Sequence, residues 1–95
     1  MPLKTTIFDA AKYLDSPEAQ LELLADAVES GEAGYIAAAL GVIARARGMS
    51  KVAAEAGVTR EGLYQSLGVN GDPRLSTLLG VSRALGLKLR FEAAQ

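Results

Sequence analysis

The side chains best suited to recognising a partner lie close together at residues 59–65, in the stretch TREGLYQ. Arg60 can form paired hydrogen bonds with a guanine edge or bind a phosphate, and Gln65 can pair with an adenine edge. Tyr64 can lie against a thymine methyl group or hydrogen-bond to a phosphate. Because these groups can hydrogen-bond and stack, the chemistry they indicate is recognition of a nucleic acid; the alternative is a solvated helix face.

Two short helices are predicted around these groups by the stretch SKVAAEAGVTREGLYQSLG, residues 50–68. Ser50 is a candidate N-cap for the first helix. The inward side of that helix would hold Val52, Ala53 and Ala56. Gly57 can adopt a left-handed backbone that turns the chain without a Cβ clash. Val58 can then fill the core, and Thr59 can cap the second helix through its hydroxyl.

The second helix is expected to place its polar side chains outward. Leu63 and Leu67 lie four residues apart and should face the core. The side chains that this turns outward are Arg60, Glu61, Tyr64 and Gln65. Two short helices that cross at a glycine-containing turn are typical of the helix-turn-helix, whose second helix lies in the DNA major groove. An ordinary helical hairpin within a bundle is the alternative.

Residues on both sides of this motif can border the DNA backbone, where they would position the protein without specifying a sequence. These are Lys51 at the start of the first helix, and Asn70 and Arg74 beyond the second. Glu61 could accept a hydrogen bond from cytosine, or it could complement the positive end of its helix. The predicted DNA-binding set is therefore Lys51, Thr59, Arg60, Glu61, Tyr64, Gln65, Asn70 and Arg74.

An acidic amphipathic helix is predicted in the stretch SPEAQLELLADAVESG, with Ser16 as its cap, Pro17 in its first turn and Gly31 at its end. The expected core face consists of Leu21, Leu24, Ala25 and Val28. A second face carries Glu18, Glu22, Asp26 and Glu29. This carboxylate row is either a solvated surface or a contact surface for a basic protein.

Further helices complete a compact helical domain. The stretch AGYIAAALGVIARARG is apolar almost all round, which is typical of a helix in the centre of a bundle. A helix over 74–85 is expected to turn Leu75, Leu78, Leu79 and Leu85 inward. The predicted organisation is one domain, residues 1–95, with N-terminal helices over 8–47, the helix-turn-helix over 50–67, the helix over 74–85 and a C-terminal strand over 87–92.

The strand prediction comes from the tail LGLKLRFEA, in which apolar and charged residues alternate. Leu87, Leu89 and Phe91 would lie on one face. A lone strand has unpaired edges, so we expect it to pair with the same segment of a second subunit. The alternative is an extended tail that folds onto its own domain.

Composition excludes several classes of function. The 95-residue chain contains no Cys and no His, so it lacks thiolate ligands, the common zinc ligand and the usual general base of catalysis near neutral pH. We therefore expect no metal, no cofactor and no enzymatic activity. The start of the chain has no apolar run long enough for a secretory signal, and no stretch of about 18 apolar residues could span a bilayer. We expect a cytoplasmic protein.

Charge is divided unevenly along the chain. Residues 1–44 carry two lysines against seven acidic residues, a balance of −5, whereas residues 45–95 carry eight basic residues against four acidic ones, a balance of +4. This division predicts one part that faces a polyanion and another that faces something basic.

Three blocks of the sequence also resemble a known family: AAKYLDSPE, YIAAALGVIARARGMSKVAAEAGVTREGLYQSL and GDPRLSTLLGVSRALGLKL. They are similar to the probable addiction-module antidote proteins, which are HigA-type antitoxins with a DNA-binding domain of the lambda-repressor, or Xre, kind. The resemblance covers roughly residues 8–91. It implies an all-α domain of five to six helices of the lambda-repressor-like helix-turn-helix type, followed by the short C-terminal β-strand.

The resemblance also implies a function. A protein of this kind binds an operator in its own promoter as a dimer and neutralises a RelE-like or HigB-like ribonuclease toxin. In this chain the family's recognition positions fall on Thr59, Arg60, Glu61, Tyr64 and Gln65. Gly62 departs from expectation because a glycine inside a helix costs about 1 kcal/mol relative to Ala. The alternatives are a repressor that acts without a toxin, and a helical protein-interaction module that binds no DNA.

Overall fold

The computed structural model describes residues 16–94, which form five α-helices. Their bounds are α1, Pro17–Ser30; α2, Ala33–Arg47; α3, Met49–Ala56; α4, Arg60–Ser66; and α5, Leu75–Ala84. The predicted helical class is confirmed for this part of the chain. Residues 8–15, where the N-terminal helices were predicted to begin, lie outside the described residues.

The C-terminal tail does not form a strand in the single chain. Residues 87–94 adopt neither helix nor strand. Since a strand needs a neighbour to complete its backbone hydrogen bonds, the strand predicted over 87–92 stays a prediction for a pair of chains.

Helix α2 lies at the centre of the fold, as its composition predicted. Its eight consecutive residues 37–44 are all buried. Leu40 and Ile43 of this helix belong to a cluster that collects buried side chains from the three later helices. Those side chains are Met49, Val52 and Ala53 before the turn, Leu63 and Leu67 after it, and Val81 and Leu85 near the C-terminus.

Helix α1 is rotated relative to the face that the sequence predicted. Leu21 and Val28 are 53% and 57% exposed, and Ala25 is also exposed, so the prediction of a core face is wrong at these three positions. Only Leu24 of the predicted face packs against the core. The buried residues of α1 are Gln20 and Ala27.

A long-range hydrogen bond accounts for that rotation. Gln20 Oε1 accepts from Nε and Nη2 of Arg47 at 3.2 and 2.8 Å, and Nη1 of the same guanidinium donates to the Leu85 carbonyl at 3.4 Å. A buried amide needs hydrogen-bond partners. Because Arg47 supplies one at the end of α2, α1 turns Gln20 inward and Leu21 outward.

Helix α5 also differs from its prediction. Leu78 and Leu85 pack in or against the core, whereas Leu75 and Leu79 are 63% and 41% exposed. The buried face instead contains Gly80, Val81 and Ser82. A Cβ at Gly80 would lie 3.1 Å from the Ala56 Cα and carbonyl oxygen, so the missing side chain lets α5 lie directly on the end of α3.

Candidate nucleic-acid interface

A three-residue turn sets the angle between α3 and α4. Gly57 has a φ of 78°, in the left-handed region where glycine is favoured, as predicted. Its amide donates to the Ala54 carbonyl at 3.2 Å, and the Val58 amide donates to the Ala53 carbonyl at 3.0 Å. These two bonds form a Schellman motif, and Val58 packs against the core beside them. The end of α3 is therefore fixed by groups within five residues of one another.

The start of α3 differs from the prediction. Ser50 lies inside the helix, which begins at Met49 after Gly48, and no side chain caps it. Gly48 has a φ of 108°, and its carbonyl accepts from the Val52 amide at 3.0 Å. The predicted cap at Ser50 is wrong, because Gly48 lets the backbone enter the helix two residues earlier.

Helix α4 is capped and oriented as the sequence predicted. The Thr59 hydroxyl accepts from the Gly62 amide at 2.9 Å. Leu63 and Leu67 are buried in the core, and the exposed residues of this short helix are Arg60, Glu61, Tyr64 and Gln65. A Cβ at residue 62 would lie 2.9 Å from the Thr59 hydroxyl oxygen. A side chain at residue 62 would therefore require the Thr59 hydroxyl to shift slightly.

Backbone contact with α2 holds the far end of α4 in place. A Cβ at Gly41 would overlap the Leu67 carbonyl oxygen, and one at Gly34 would lie 2.9 Å from the Val69 carbonyl oxygen. Two glycines along α2 therefore allow the backbone that ends α4 to lie directly on the central helix. Contact of the α4 end with α2 in this way sets where the exposed face of α4 lies on the domain.

The exposed face of α4 carries an aromatic ring with two cations. The guanidinium carbon of Arg60 lies 5.4 Å from the centroid of the Tyr64 ring, and that of Arg45 lies 5.9 Å from it. Both distances fall within the range of cation–π attraction. Arg45 comes from the last turn of α2 and was not among the predicted site residues. The only sequence signal for it was its place as the first charge at the end of an otherwise apolar helix.

The other predicted DNA-binding residues are exposed at separate places along the same stretch. Lys51 lies in α3, Glu61 in the first turn of α4 and Gln65 on the outer side of α4. Asn70 lies in the loop that follows, and Arg74 is the N-cap of α5. Among residues 16–94 the structure brings Arg60 and Tyr64 into contact, and it shows no hydrogen bond or ion pair that joins the others to them. Glu61 lies where a negative charge complements the helix dipole.

The carboxylate row of α1 is exposed, as its pattern predicted. Glu18, Glu22 and Glu29 lie at the surface, and Asp26 accepts a hydrogen bond of 2.6 Å from the Tyr35 hydroxyl of α2. That hydrogen bond, followed by partial burial and the carboxylate charge, raises the pKa of the Tyr35 phenol. The row borders an apolar surface made by Leu21 and Val28, which the sequence had assigned to the core.

The tail exposes two of its three predicted dimerisation residues. Leu87 packs against the core, Leu89 is 42% exposed, and Phe91 is 91% exposed. These side chains border a groove of about 330 Å³ whose other walls come from α1, α2 and α5. Its apolar lining includes Leu24, Val28, Ile36, Leu40 and Leu78.

Residues 16–94 offer neither of two other kinds of site. No group of three or more acidic, His or Cys side chains that could hold a metal ion occurs among residues 16–94. No helix in that range is long and apolar enough to cross a membrane.

Residues 16–94 thus form an all-helical domain with a cationic and aromatic surface contributed by α2 and α4 and a carboxylate row on α1. A family model described as "Probable addiction module antidote protein" matches residues 4–93. The chain belongs to this family of probable addiction module antidote proteins, and membership implies a toxin as its partner.

A relative is found in Haemophilus influenzae (strain ATCC 51907 / DSM 11121 / KW20 / Rd), where it is described as an uncharacterized protein. It is 39% identical over 88 residues, which cover 93% of this chain and 91% of the relative. No solved structure matches the chain.

Proposed function

We propose that this protein is a HigA-type antitoxin of a type II toxin–antitoxin module, which neutralises a RelE/HigB-like toxin and represses its own operon by binding operator DNA. The family supports the antidote role. The DNA-binding part of the proposal assigns α3 and α4 to a helix-turn-helix of the lambda-repressor, or Xre, kind, with α4 in the major groove.

The observation that carries the DNA proposal is the outward face of α4. Arg60, Tyr64 and Gln65 are all exposed on a helix whose opposite side is held by Leu63 and Leu67. Arg60 and Gln65 suit hydrogen bonding to base edges, and Tyr64 offers both a ring and a hydroxyl. The charge balance of +4 over residues 45–95 favours approach to phosphates. Lys51, Asn70 and Arg74 would contact the backbone at the edges.

Dimerisation would supply the second half-site. One short helix contacts few base pairs, whereas two copies about 34 Å apart on one DNA face can read a palindrome. The exposed Leu89 and Phe91 support a homodimer in which the 87–92 segments of two chains pair as strands. The apolar groove beside the tail would then receive side chains of the second copy.

The toxin would bind the acidic surface of α1, away from the face of α4 that is assigned to DNA. Glu18, Glu22, Asp26 and Glu29 on α1 form the acidic part of this surface, and the exposed Leu21 and Val28 add apolar area beside them. A basic toxin would be attracted by the carboxylates and held by apolar contact.

Binding to a duplex from the protein's own promoter tests the DNA proposal, measured by fluorescence anisotropy over a series of salt concentrations. We expect affinity to fall steeply as salt rises, because phosphate contacts release counterions. The double variant Arg60→Ala/Gln65→Ala should lose the preference for promoter over scrambled duplex, while Arg83→Ala, which removes an exposed cation from α5, should keep it. Equal, salt-insensitive affinity of the wild type for both duplexes would contradict the proposal.

Capture of the toxin is measured separately, with the product of a basic reading frame next to the gene. The double variant should bind that product as tightly as the wild type does, because α1 is unchanged. If the wild type binds promoter DNA and shows no affinity for the neighbouring product, the antitoxin assignment for that pair is wrong and the DNA assignment stands.

A further inference from the structure

Arg45 joins two elements at the candidate interface. It lies in the last turn of α2, outside the helix-turn-helix, yet its guanidinium reaches the same Tyr64 ring as that of Arg60. Residues 37–44 of α2 are all buried, and Arg45 is the first exposed residue after that run. The ring of Tyr64 therefore connects the end of the central helix to the outer face of α4.

Arg45 and Arg60 place two positive charges beside one ring, and this arrangement favours the binding of a negatively charged group. Neither guanidinium forms an ion pair with a carboxylate among residues 16–94. Each cation is attracted to the ring, but the two cations repel each other. A phosphate between or beside them would remove that repulsion, and guanidinium groups bind phosphates in paired, directional fashion.

We propose that Arg45 contacts a DNA phosphate and that Tyr64 is the positioning residue that holds it ready to do so. The proposal rests on the DNA-binding function proposed above. Arg45 lies outside α4, so it is assigned to the sugar–phosphate backbone, whereas Arg60 on α4 is assigned to a base edge. A side chain that is already restrained by a ring loses less conformational freedom on binding, which lowers the free-energy cost of the contact.

The test compares Arg45→Ala, Tyr64→Phe, Tyr64→Leu and Arg45→Ala/Tyr64→Leu on promoter and scrambled duplexes, with Arg83→Ala as a matched control in the last turn of another helix. Arg45→Ala should weaken binding to both duplexes by the same factor, about three- to tenfold, and reduce the salt slope by about 0.9. Tyr64→Phe keeps the ring, so the contribution of Arg45 to DNA affinity should be unchanged in this variant. In the Tyr64→Leu background, removing Arg45 should change affinity less than it does in the wild type.

The outcomes distinguish failure of this proposal from failure of the DNA-binding function on which it rests. If Arg45→Ala binds both duplexes like the wild type and Arg83→Ala, the phosphate contact is wrong while operator binding stands. If Arg45→Ala weakens binding equally in the wild-type and Tyr64→Leu backgrounds, the positioning role of Tyr64 is wrong. If the wild type binds neither duplex, both proposals fail. All the altered side chains are exposed, so matching circular dichroism melting curves will show that the variants fold.

Discussion

The corner formed by residues 49–66 and the helix α1 are held in different ways. The corner consists of α3, the turn and α4, and its hydrogen bonds at Gly57, Val58 and Thr59 all join residues within five positions of each other. Helix α1 is also capped locally, since Ser16 Oγ accepts from the Ala19 amide at 3.2 Å. Its rotation, however, is tied to Arg47, which lies 27 residues beyond Gln20.

The difference shows that the residues that cap a helix do not decide which of its faces is buried. A cap fixes where a helix begins or ends, and both regions have one. The inward face is clear in α4 because Leu63 and the C-cap residue Leu67 are the only large apolar side chains there besides Tyr64. Helix α1 has apolar residues around most of its circumference, so a distant partner decides which of them are buried.

The two regions also expose different chemistry. The corner presents Arg60, Tyr64 and Gln65, and α1 presents carboxylates beside Leu21. Because the two surfaces lie on separate helices, changes in one should leave the partner of the other unaffected. The following substitutions test how each region is held.

The largest effect on the corner is expected from Gly41→Ala, which attacks its support. The added Cβ would overlap the Leu67 carbonyl oxygen, which is backbone and cannot rotate away. Forcing the elements apart should cost about 1–3 kcal/mol, even though Ala favours a helix by about 1 kcal/mol over Gly. Urea denaturation measures the free energy of unfolding. Ala46→Ser, at an exposed position of the same helix, should change it by less than about 0.5 kcal/mol; a stabilised Gly41→Ala variant would show that the contact is not close.

A smaller loss is expected from Thr59→Ala, which removes the cap of α4. The Gly62 amide loses its hydroxyl partner, and such a change costs about 1 kcal/mol. Thr59→Ser keeps the hydroxyl and should lie within a few tenths of a kcal/mol of the wild type. Thermal unfolding of the two variants side by side makes the comparison. Equal melting temperatures would mean that the cap does not hold α4.

The smallest effect is expected from Leu21→Gln on α1. Leu21 is 53% exposed, so the free energy of unfolding should change by less than about 0.5 kcal/mol. Leu85→Gln, at a residue that is 3% exposed, serves as the buried counterpart and should lose about 1–3 kcal/mol, because it buries an amide in an apolar site. If the loss at Leu21 matched that at Leu85, α1 would be turned as its sequence pattern first indicated.

The corner was largely predictable because each of its signals acts over a few residues. Gly57 in a left-handed turn, Thr59 as a cap, and Leu63 and Leu67 as core residues are all confirmed. The wrong predictions at Leu75 and Leu79 have a common cause. A count of leucines could not anticipate that Gly80 brings the α5 backbone against Ala56 and makes the glycine side of the helix the buried one.

The exposure of the candidate DNA-binding residues was predictable from the sequence, but their arrangement was not. Arg60 and Tyr64 were identified from their types and spacing, and the structure confirms that they are exposed. Arg45 was not predicted because it lies 19 positions before Tyr64, in a helix whose apolar sequence is typical of a buried element. Only packing of α2 against the corner brings the guanidinium carbon of Arg45 to 5.9 Å from the centroid of the Tyr64 ring.

The sequence by itself determined the helical class, the sharp turn at Gly57, the cap at Thr59 and the division of charge between the two halves of the chain. These depend on backbone conformation and on hydrogen bonds between near neighbours, which any short stretch carries with it. The rotation of α1, the buried face of α5 and the meeting of Arg45 with Tyr64 were decided only by the tertiary structure. Each depends on a partner far away in the chain, whose position exists only after the helices have packed.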